Sequence, residues 1–170
     1  MRFAYADPPY PGQAVSRYNG TEVDHAALIV SLRDFDGWAL STSASALLPI
    51  WQLAPEARCA AWVKTWATNG WSRVRWSWEP LLFVTPRRGI KPGERSDVWD
   101  SHVCAPATAV GSWQEVPGKG GGSKPESFVH WMLDLLGYQE GVDELIDIFP
   151  GSGAVTTWIR VRQRELWEAC

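Results

Sequence analysis

Two short stretches near opposite ends of the chain hold side chains of types that do chemistry. Asp7-Pro8-Pro9-Tyr10 follows the alternating, aromatic segment Arg2 to Ala6, which reads as a strand stopped by its prolines. Consecutive prolines stiffen the backbone and leave carbonyls without neighbouring N–H competitors, so a carboxylate, a carbonyl and a ring are displayed with little entropy left to lose. Such a cluster can hold a planar base bearing an exocyclic amine: Asp7 and the Pro8 carbonyl accept the two amine hydrogens while Tyr10 stacks on the ring. A proline-rich turn capped by aspartate accounts for the same residues without a ligand. The second stretch, Phe149-Pro150-Gly151-Ser152-Gly153, closes the apolar run Leu145 to Phe149. Its glycines let a ligand approach the backbone, and the start of the next helix offers free N–H groups to a carboxylate or phosphate. A dinucleotide fingerprint would add a third glycine near Thr156 and an acidic residue about twenty positions on, and neither is present.

Other constellations carry less. Gly118 to Lys124 lacks the spacing of a phosphate-binding P-loop and reads as a flexible linker. His102 and Cys104 with the distant Cys59 do not make four metal ligands at a finger spacing, so no metal site is expected. No Gly-x-Ser-x-Gly elbow supports a serine nucleophile, and His25, His102 and His130 stand in unrelated contexts.

The elements that must position the two stretches alternate strand and helix. Thr21 to Asp24 is a capping signal ahead of Ala27, Leu28, Leu32 and Phe35 at helical spacing, with Asp36-Gly37 as the stop. Trp38 to Thr42 reads as a second strand, and Ala44 to Leu53 as a helix interrupted near Pro49. Arg58 to Trp66 and Leu81 to Thr85 read as strands joined across Asn69-Gly70 in an antiparallel excursion. From Pro86 to Ser123 no periodicity survives, which predicts a long, weakly ordered and mobile loop. Pro125 then opens a helix with an apolar stripe of Phe128, Trp131, Met132, Leu135 and Leu136 and a C-cap at Gly137. Leu145 to Phe149 reads as a buried strand, and Val155 to Trp167 as a closing helix. Strand, glycine turn, helix is a ligand-binding arrangement of α/β folds.

A chain of 170 residues with 45% apolar and 21% charged residues fits one globular domain over 1–170. Its twelve tryptophans can fill much of a core or stack on a ligand. Three widely spaced cysteines argue against a disulfide framework and for a reducing, cytoplasmic setting, and no run is apolar enough for a signal or a membrane span. The net charge of -3 is uneven: from Arg58 to Arg95 eight basic residues face only Glu79 and Glu94. A locally basic surface on an acidic body suits a polyanion partner, with Arg73, Arg75, Arg87, Arg88 and Lys91 as its candidates; a solvated basic hairpin has the same composition.

Taken together, DPPY near the start and DIFPGSG near the end, preceded by KPESFVHWMLDLLG, resemble the amino-methyltransferases that use S-adenosylmethionine. The order of the motifs is similar to that of the permuted DNA N6-adenine and N4-cytosine methyltransferases, especially the compact phage and prophage type related to the mRNA adenosine methyltransferases. AAWVKTW and WEPLLFVTPR look like that family's central strands, so the likeness touches most of the chain outside Pro86 to Ser123. It implies a circularly permuted, minimal Rossmann-like sheet in a three-layer α/β/α sandwich with an antiparallel hairpin. It implies that Asp7, Pro8, Pro9 and Tyr10 form the target-amine site, with Asp7, Lys124, Pro125, Asp147, Phe149, Gly151, Ser152 and Gly153 around the cofactor. The implied activity is methylation of adenine N6 in DNA, placed in restriction-modification or phage biology, with RNA adenosine or cytosine N4 as alternative targets. Fuller family members continue into a strand whose acidic residue binds the cofactor ribose, whereas this sequence ends near Trp167. That leaves ribose binding to residues near Asp147 and Lys124 or to a second subunit, and motivates the alternative of a non-catalytic nucleic-acid-binding relative. The same truncation puts Leu145 to Phe149 at a sheet edge, where unpaired backbone invites covering or a homodimer. A tryptophan-rich carbohydrate- or protein-binding module is the reading that composition alone supports.

Overall fold

Strand β1 (Arg2–Ala6) owes its central place to a sequence that is apolar on both faces. Phe3 and Tyr5 enter one core cluster and Ala4 and Ala6 the other, and all four are buried. Only a strand covered on both sides has that pattern. The computed structural model describes residues 1–15, 20–63, 77–88, 104–106 and 124–168. In it β1 lies between two parallel neighbours, β2 (Gly37–Ser41) with Phe3 opposite Gly37, and β6 (Glu144–Asp147) with Tyr5 opposite Asp147. Beyond β2 comes β4 (Trp78–Val84), antiparallel to both β2 and β3 (Arg58–Val63), and β5 (Cys104–Pro106) pairs parallel with β3. The sheet order is therefore β5-β3-β4-β2-β1-β6.

Helices α1 (His25–Leu32) and α2 (Leu47–Leu53) cover one face, where Leu28, Ile29, Leu32 and Ile50 meet Trp38, Leu40 and Leu82. Helices α3 (Glu126–Leu136) and α4 (Ala154–Glu168) cover the other, where Phe128, Met132 and Val155 meet Tyr5, Trp62 and Phe83. The result is the expected three-layer α/β/α, Rossmann-like arrangement, with β3 and β4 as its antiparallel pair. Tryptophans supply part of the core: Trp62 packs on Phe128 and Trp131 with ring centroids 5.4 Å away in each case. Such pairs add about 0.5–1.5 kcal/mol each beyond their burial.

Local chemistry explains most boundaries. Asp24 caps α1, its carboxylate accepting from the Ala27 N–H at 3.0 Å. The helix stops at Arg33, before the expected Asp36-Gly37, because Gly37 has another task. A Cβ there would lie 2.8 Å from both the Phe3 ring and the Val84 carbonyl, so glycine is what lets β2 approach its two neighbours. Pro49 does not interrupt α2, since it falls in the first turn, where no backbone N–H has an intrahelical partner. Strand β4 begins at Trp78, three residues before the expected start at Leu81, so Pro80 lies inside it. Its carbonyl accepts from Thr42 N–H just past the end of β2, so the missing proline donor faces a point where that ladder has already stopped. The apolar stripe of α3 is buried as the spacing predicts, and Gly137 closes the helix at φ 68°. Strand β6 is the sheet edge and only partly buried, against the expectation of a buried strand. The short β5 was not foreseen, and the rest of 89–123, apart from it, lies outside the described residues. No helix among the described residues is long and apolar enough to cross a membrane.

Candidate active site

The chain leaves β1 towards α1 on one face and leaves β6 towards α4 on the other. Adjacent parallel strands whose connections diverge in this way open a crevice at their carboxyl ends, where α/β folds bind ligands. The pairing of Tyr5 with Asp147 sets the two chemistry-bearing stretches side by side: Asp7 lies two residues beyond Tyr5, and Phe149 two residues beyond Asp147. Two stretches distant in the sequence thus come to lie side by side.

Strand alternation aims a row of polar groups at the α3 side of this crevice. Tyr5 stands on β1, Ser41 on β2, Glu79 on β4 and Asp147 on β6, each in step with residues of the α3-facing core. The Tyr5 hydroxyl and Ser41 Oγ share a buried hydrogen bond of 2.9 Å. Burial first, and then the nearby Asp7 charge, push the Tyr5 hydroxyl well above the usual tyrosine range, so it stays neutral. At the centre is Lys124, whose side chain is only 7% exposed. Its Nζ lies 3.2 Å from Asp7 Oδ2, 3.4 Å from Glu79 Oε2, and 5.0 Å from the centre of the Phe128 ring. Burial lowers the affinity of Lys124 for its proton, but Asp7 and Glu79 outweigh it and hold the ammonium well above the ordinary lysine value. Asp147 goes the other way from an ordinary carboxylate: burial and the charge of Asp7 raise it, against an opposing N–H from Phe149. Its Oδ1 is buried without a hydrogen-bond partner. Among the described residues, Asp7, Glu79 and Asp147 against Lys124 carry two net negative charges when all are ionised.

The flanking turns are tightly specified. Glu22 accepts from the N–H groups of Gly12 and Ala14, both at 3.2 Å, which ties down the chain after Tyr10. Pro8 is buried, and Pro9 and Tyr10 are half-buried. Gly151 and Gly153 adopt φ of 43° and 72°, in the left-handed region that favours glycine, and swing the chain from β6 into α4. Ser152 is exposed at the tip of this turn, and Phe149 packs partly against the α1 and α2 cluster. Pro125, extended with ψ 158°, sets Lys124 at the head of α3.

All the motif residues named from the sequence therefore gather at one end of the sheet, whereas the basic residues do not. Strand β4 runs antiparallel to β2, so Val84 sits beside Trp38 and the chain after it emerges at the opposite end from Asp7. Arg87 is consumed there: its guanidinium lies 2.6 Å from Asp143, whose side chain is fully buried and also accepts from the Gln139 N–H at 2.8 Å. Arg88 follows it, exposed, at that same far end. Of the candidates for contact with a polyanion, Arg87 is thus paired with Asp143, and both it and Arg88 stand at the end of the sheet away from Asp7. Arg73, Arg75 and Lys91 lie outside the described residues. Tyr5, Ser41 and Glu79 were not anticipated as site residues. The signal for Glu79 was a lone acid heading the otherwise apolar strand Trp78–Val84.

No protein-family model and no curated protein sequence matches the chain. Among solved structures, the crystal structure of the M1.HpyAVI–SAM complex is similar, with a TM-score of 0.53 and 14% identity over 95% of this chain and 78% of that one. At that identity the likeness speaks for the fold.

Proposed function

We propose that the chain transfers a methyl group from S-adenosylmethionine to the exocyclic N6 amine of adenine in DNA, on the circularly permuted sheet order that its motifs resemble. The observation that carries this reading is, among the described residues, the excess of carboxylates at the switch point of the sheet: Asp7 and Glu79 on Lys124, with Asp147 beside Asp7. A net-negative, partly buried crevice favours a cationic ligand, and the methyl donor is a sulfonium that also carries an α-ammonium group. Asp147 fits it: a buried carboxylate oxygen without a donor is an acceptor in wait of one. The left-handed turn at Gly151 and Gly153 gives the room for close backbone approach. That M1.HpyAVI, of similar fold, was solved as a SAM complex supports the same assignment.

When bound, S-adenosylmethionine supplies an electrophilic methyl group on sulfur. The chain's own task is to make a poor nucleophile competent. An aromatic amine's lone pair is delocalised into its ring, and two acceptors on its hydrogens, the Asp7 carboxylate and the Pro8 carbonyl, favour the pyramidal form with the lone pair free. Tyr10 stacks on the base and fixes its plane. With the donor bound, Asp7 would also take the proton that the nitrogen loses on accepting the methyl group. Positioning and acceptor electrostatics are the means. A base inside a duplex is out of reach of these groups, so it is flipped, at a cost of a few kcal/mol that stacking and hydrogen bonds offset.

RNA adenosine and cytosine N4 present the same amine geometry, and the resemblance of DPPY leans to adenine. The test is incubation of the protein with labelled S-adenosylmethionine and a mixture of DNA and RNA, then digestion to nucleosides and mass analysis. N6-methyldeoxyadenosine is expected. Label in ribonucleosides or on cytosine would reassign the substrate, and no binding at millimolar cofactor would favour a non-catalytic nucleic-acid-binding protein.

A further inference from the structure

We propose that Glu79 is a positioning residue, which takes charge of the Lys124 ammonium when Asp7 turns to the substrate amine. The inference rests on the methyl-transfer reading and assigns a role to a residue that no motif marks. Lys124 is enclosed by two carboxylates and the Phe128 ring, and the two carboxylates differ in access. Asp7 is 27% exposed and opens to the crevice, whereas Glu79 is 18% exposed and lies deeper, on β4. The contacts, 3.2 Å and 3.4 Å, are nearly equal, so Lys124 is shared between them.

Asp7 cannot accept from a substrate amine and also remain the sole partner of a buried ammonium. Were Lys124 held by Asp7 alone, each engagement with substrate would strand an uncompensated charge in a nearly closed site, which is among the costlier events in a protein interior. Glu79 removes that obstacle because it keeps Lys124 neutralised throughout. The ionisable groups around Lys124 agree with this division. Tyr5 stays neutral, Tyr10 lies beyond Asp7, and Asp147 repels Asp7 from β6. On α3, Glu126 is occupied with His130 at 4.0 Å. Among these described groups Glu79 is the carboxylate placed to hold Lys124 as Asp7 moves.

The experiment compares wild type, Glu79→Gln and Glu79→Asp in steady-state methyl transfer, with thermal unfolding of each. Glu79→Gln keeps the shape and removes the charge. It is expected to lower kcat by about tenfold or more with KM for cofactor and polynucleotide within about threefold, because binding contacts persist and the release of Asp7 does not. Glu79→Asp keeps the charge and is expected to recover to within about threefold of wild-type kcat. A Glu79→Gln kcat equal to wild type overturns the inference. So does an equal loss in both variants with lowered melting points, which marks a purely structural role. Should Glu79→Gln fail to fold, Glu79→Ala takes its place, since it also removes the charge: a lowered kcat at an unchanged melting point supports the role, and a wild-type kcat overturns it. A wild-type protein that methylates neither DNA nor RNA is a different failure, since it removes the functional reading beneath.

Discussion

At neutral pH without ligand, Asp147→Asn should be more stable than the wild type, yet bind S-adenosylmethionine more weakly. Both effects have one origin. The Asp147 carboxyl is raised above the usual aspartate range by burial and by the charge of Asp7, only partly offset by the Phe149 N–H, and its Oδ1 has no partner. An acid whose folded pKa is raised holds more protons in the native than in the unfolded chain between the unfolded value, about 3.9, and the raised one. Wild-type stability therefore declines as pH climbs through that window and stays reduced above it, while asparagine has no such proton to lose. Relief of one unpaired, half-buried carboxylate oxygen is worth about 1 kcal/mol, or about 2–4 °C in a domain of this size. On the binding side, loss of a charged acceptor for a cationic ligand costs about 1.5–3 kcal/mol, roughly ten- to a hundredfold in Kd. Thermal unfolding between pH 4 and 7 and calorimetry with the cofactor read the two effects separately. The stabilisation should grow with pH. An asparagine variant that melts below wild type at pH 7 would show that the carboxylate has a stabilising partner, and unchanged affinity would remove Asp147 from the cofactor site.

Asp7→Ala should leave a folded protein, because Lys124 keeps Glu79, and should lower kcat by about 10²–10³, as loss of one transition-state acceptor does; normal turnover would refute the target-amine site. Arg87→Met should destabilise by about 2–3 kcal/mol, since buried Asp143 loses a charged donor, with methyl transfer per folded molecule unchanged. Asp143 is pulled down by its donors against the upward push of burial, so its stabilisation exists above about pH 4, the unfolded range, and is lost as pH falls through its lowered value. Acid titration of the melting point checks this, and an acid limb that Arg87→Met leaves unmoved would dissolve the pairing argument. For nucleic acid, Arg73→Glu with Arg75→Glu should flatten the log-log salt slope of DNA binding by about 2, whereas Arg88→Glu should leave it unchanged. The reverse pattern would put the polyanion at the far end of the sheet.

Local signals carried much of the fold. The proline before α3, the stripe from Phe128 to Leu136 and Gly137 at φ 68° are decided within a few turns of chain, and they read correctly. The edge position of β6 was also legible, through a motif resemblance and not from its own composition, whereas β1, which reads as an alternating strand, is buried on both faces. What sequence could not supply was set by long-range pairing. Gly37 reads as a helix stop until Phe3 and Val84 are seen to crowd it. Lys124 and Asp7 are 117 positions apart, and neither spacing nor periodicity couples them; β1 and the head of α3 meet only once the sheet and its covering helices are assembled. Glu79 was counted only as a charge for the same reason.

The direction of β4 sets where its two charged ends fall. Glu79 and Arg87 are eight residues apart and both look like members of one charged hairpin. An extended strand advances about 3.3 Å per residue, so the seven residues Trp78–Val84 separate the ends by roughly 20 Å, the height of the sheet. One end delivers a carboxylate to Lys124, the other an arginine to Asp143. The crevice is consequently acidic and repels phosphate, while it attracts a cation. On the proposed methyl-transfer reading, a nucleic-acid substrate would present a neutral base to the crevice and keep its backbone away from it. Val63 and Trp78 are paired in register at the crevice end of the sheet, and the sequence between them, 64–76, includes Lys64, Arg73 and Arg75 and no acid, which makes these the candidates to test for backbone contact on that reading. On that reading, separation of the acidic chemical site from a basic tether would resolve the electrostatic conflict between a sulfonium donor and a polyanionic acceptor, and the salt-slope contrast between Arg73 with Arg75 and Arg88 is the measurement that decides it.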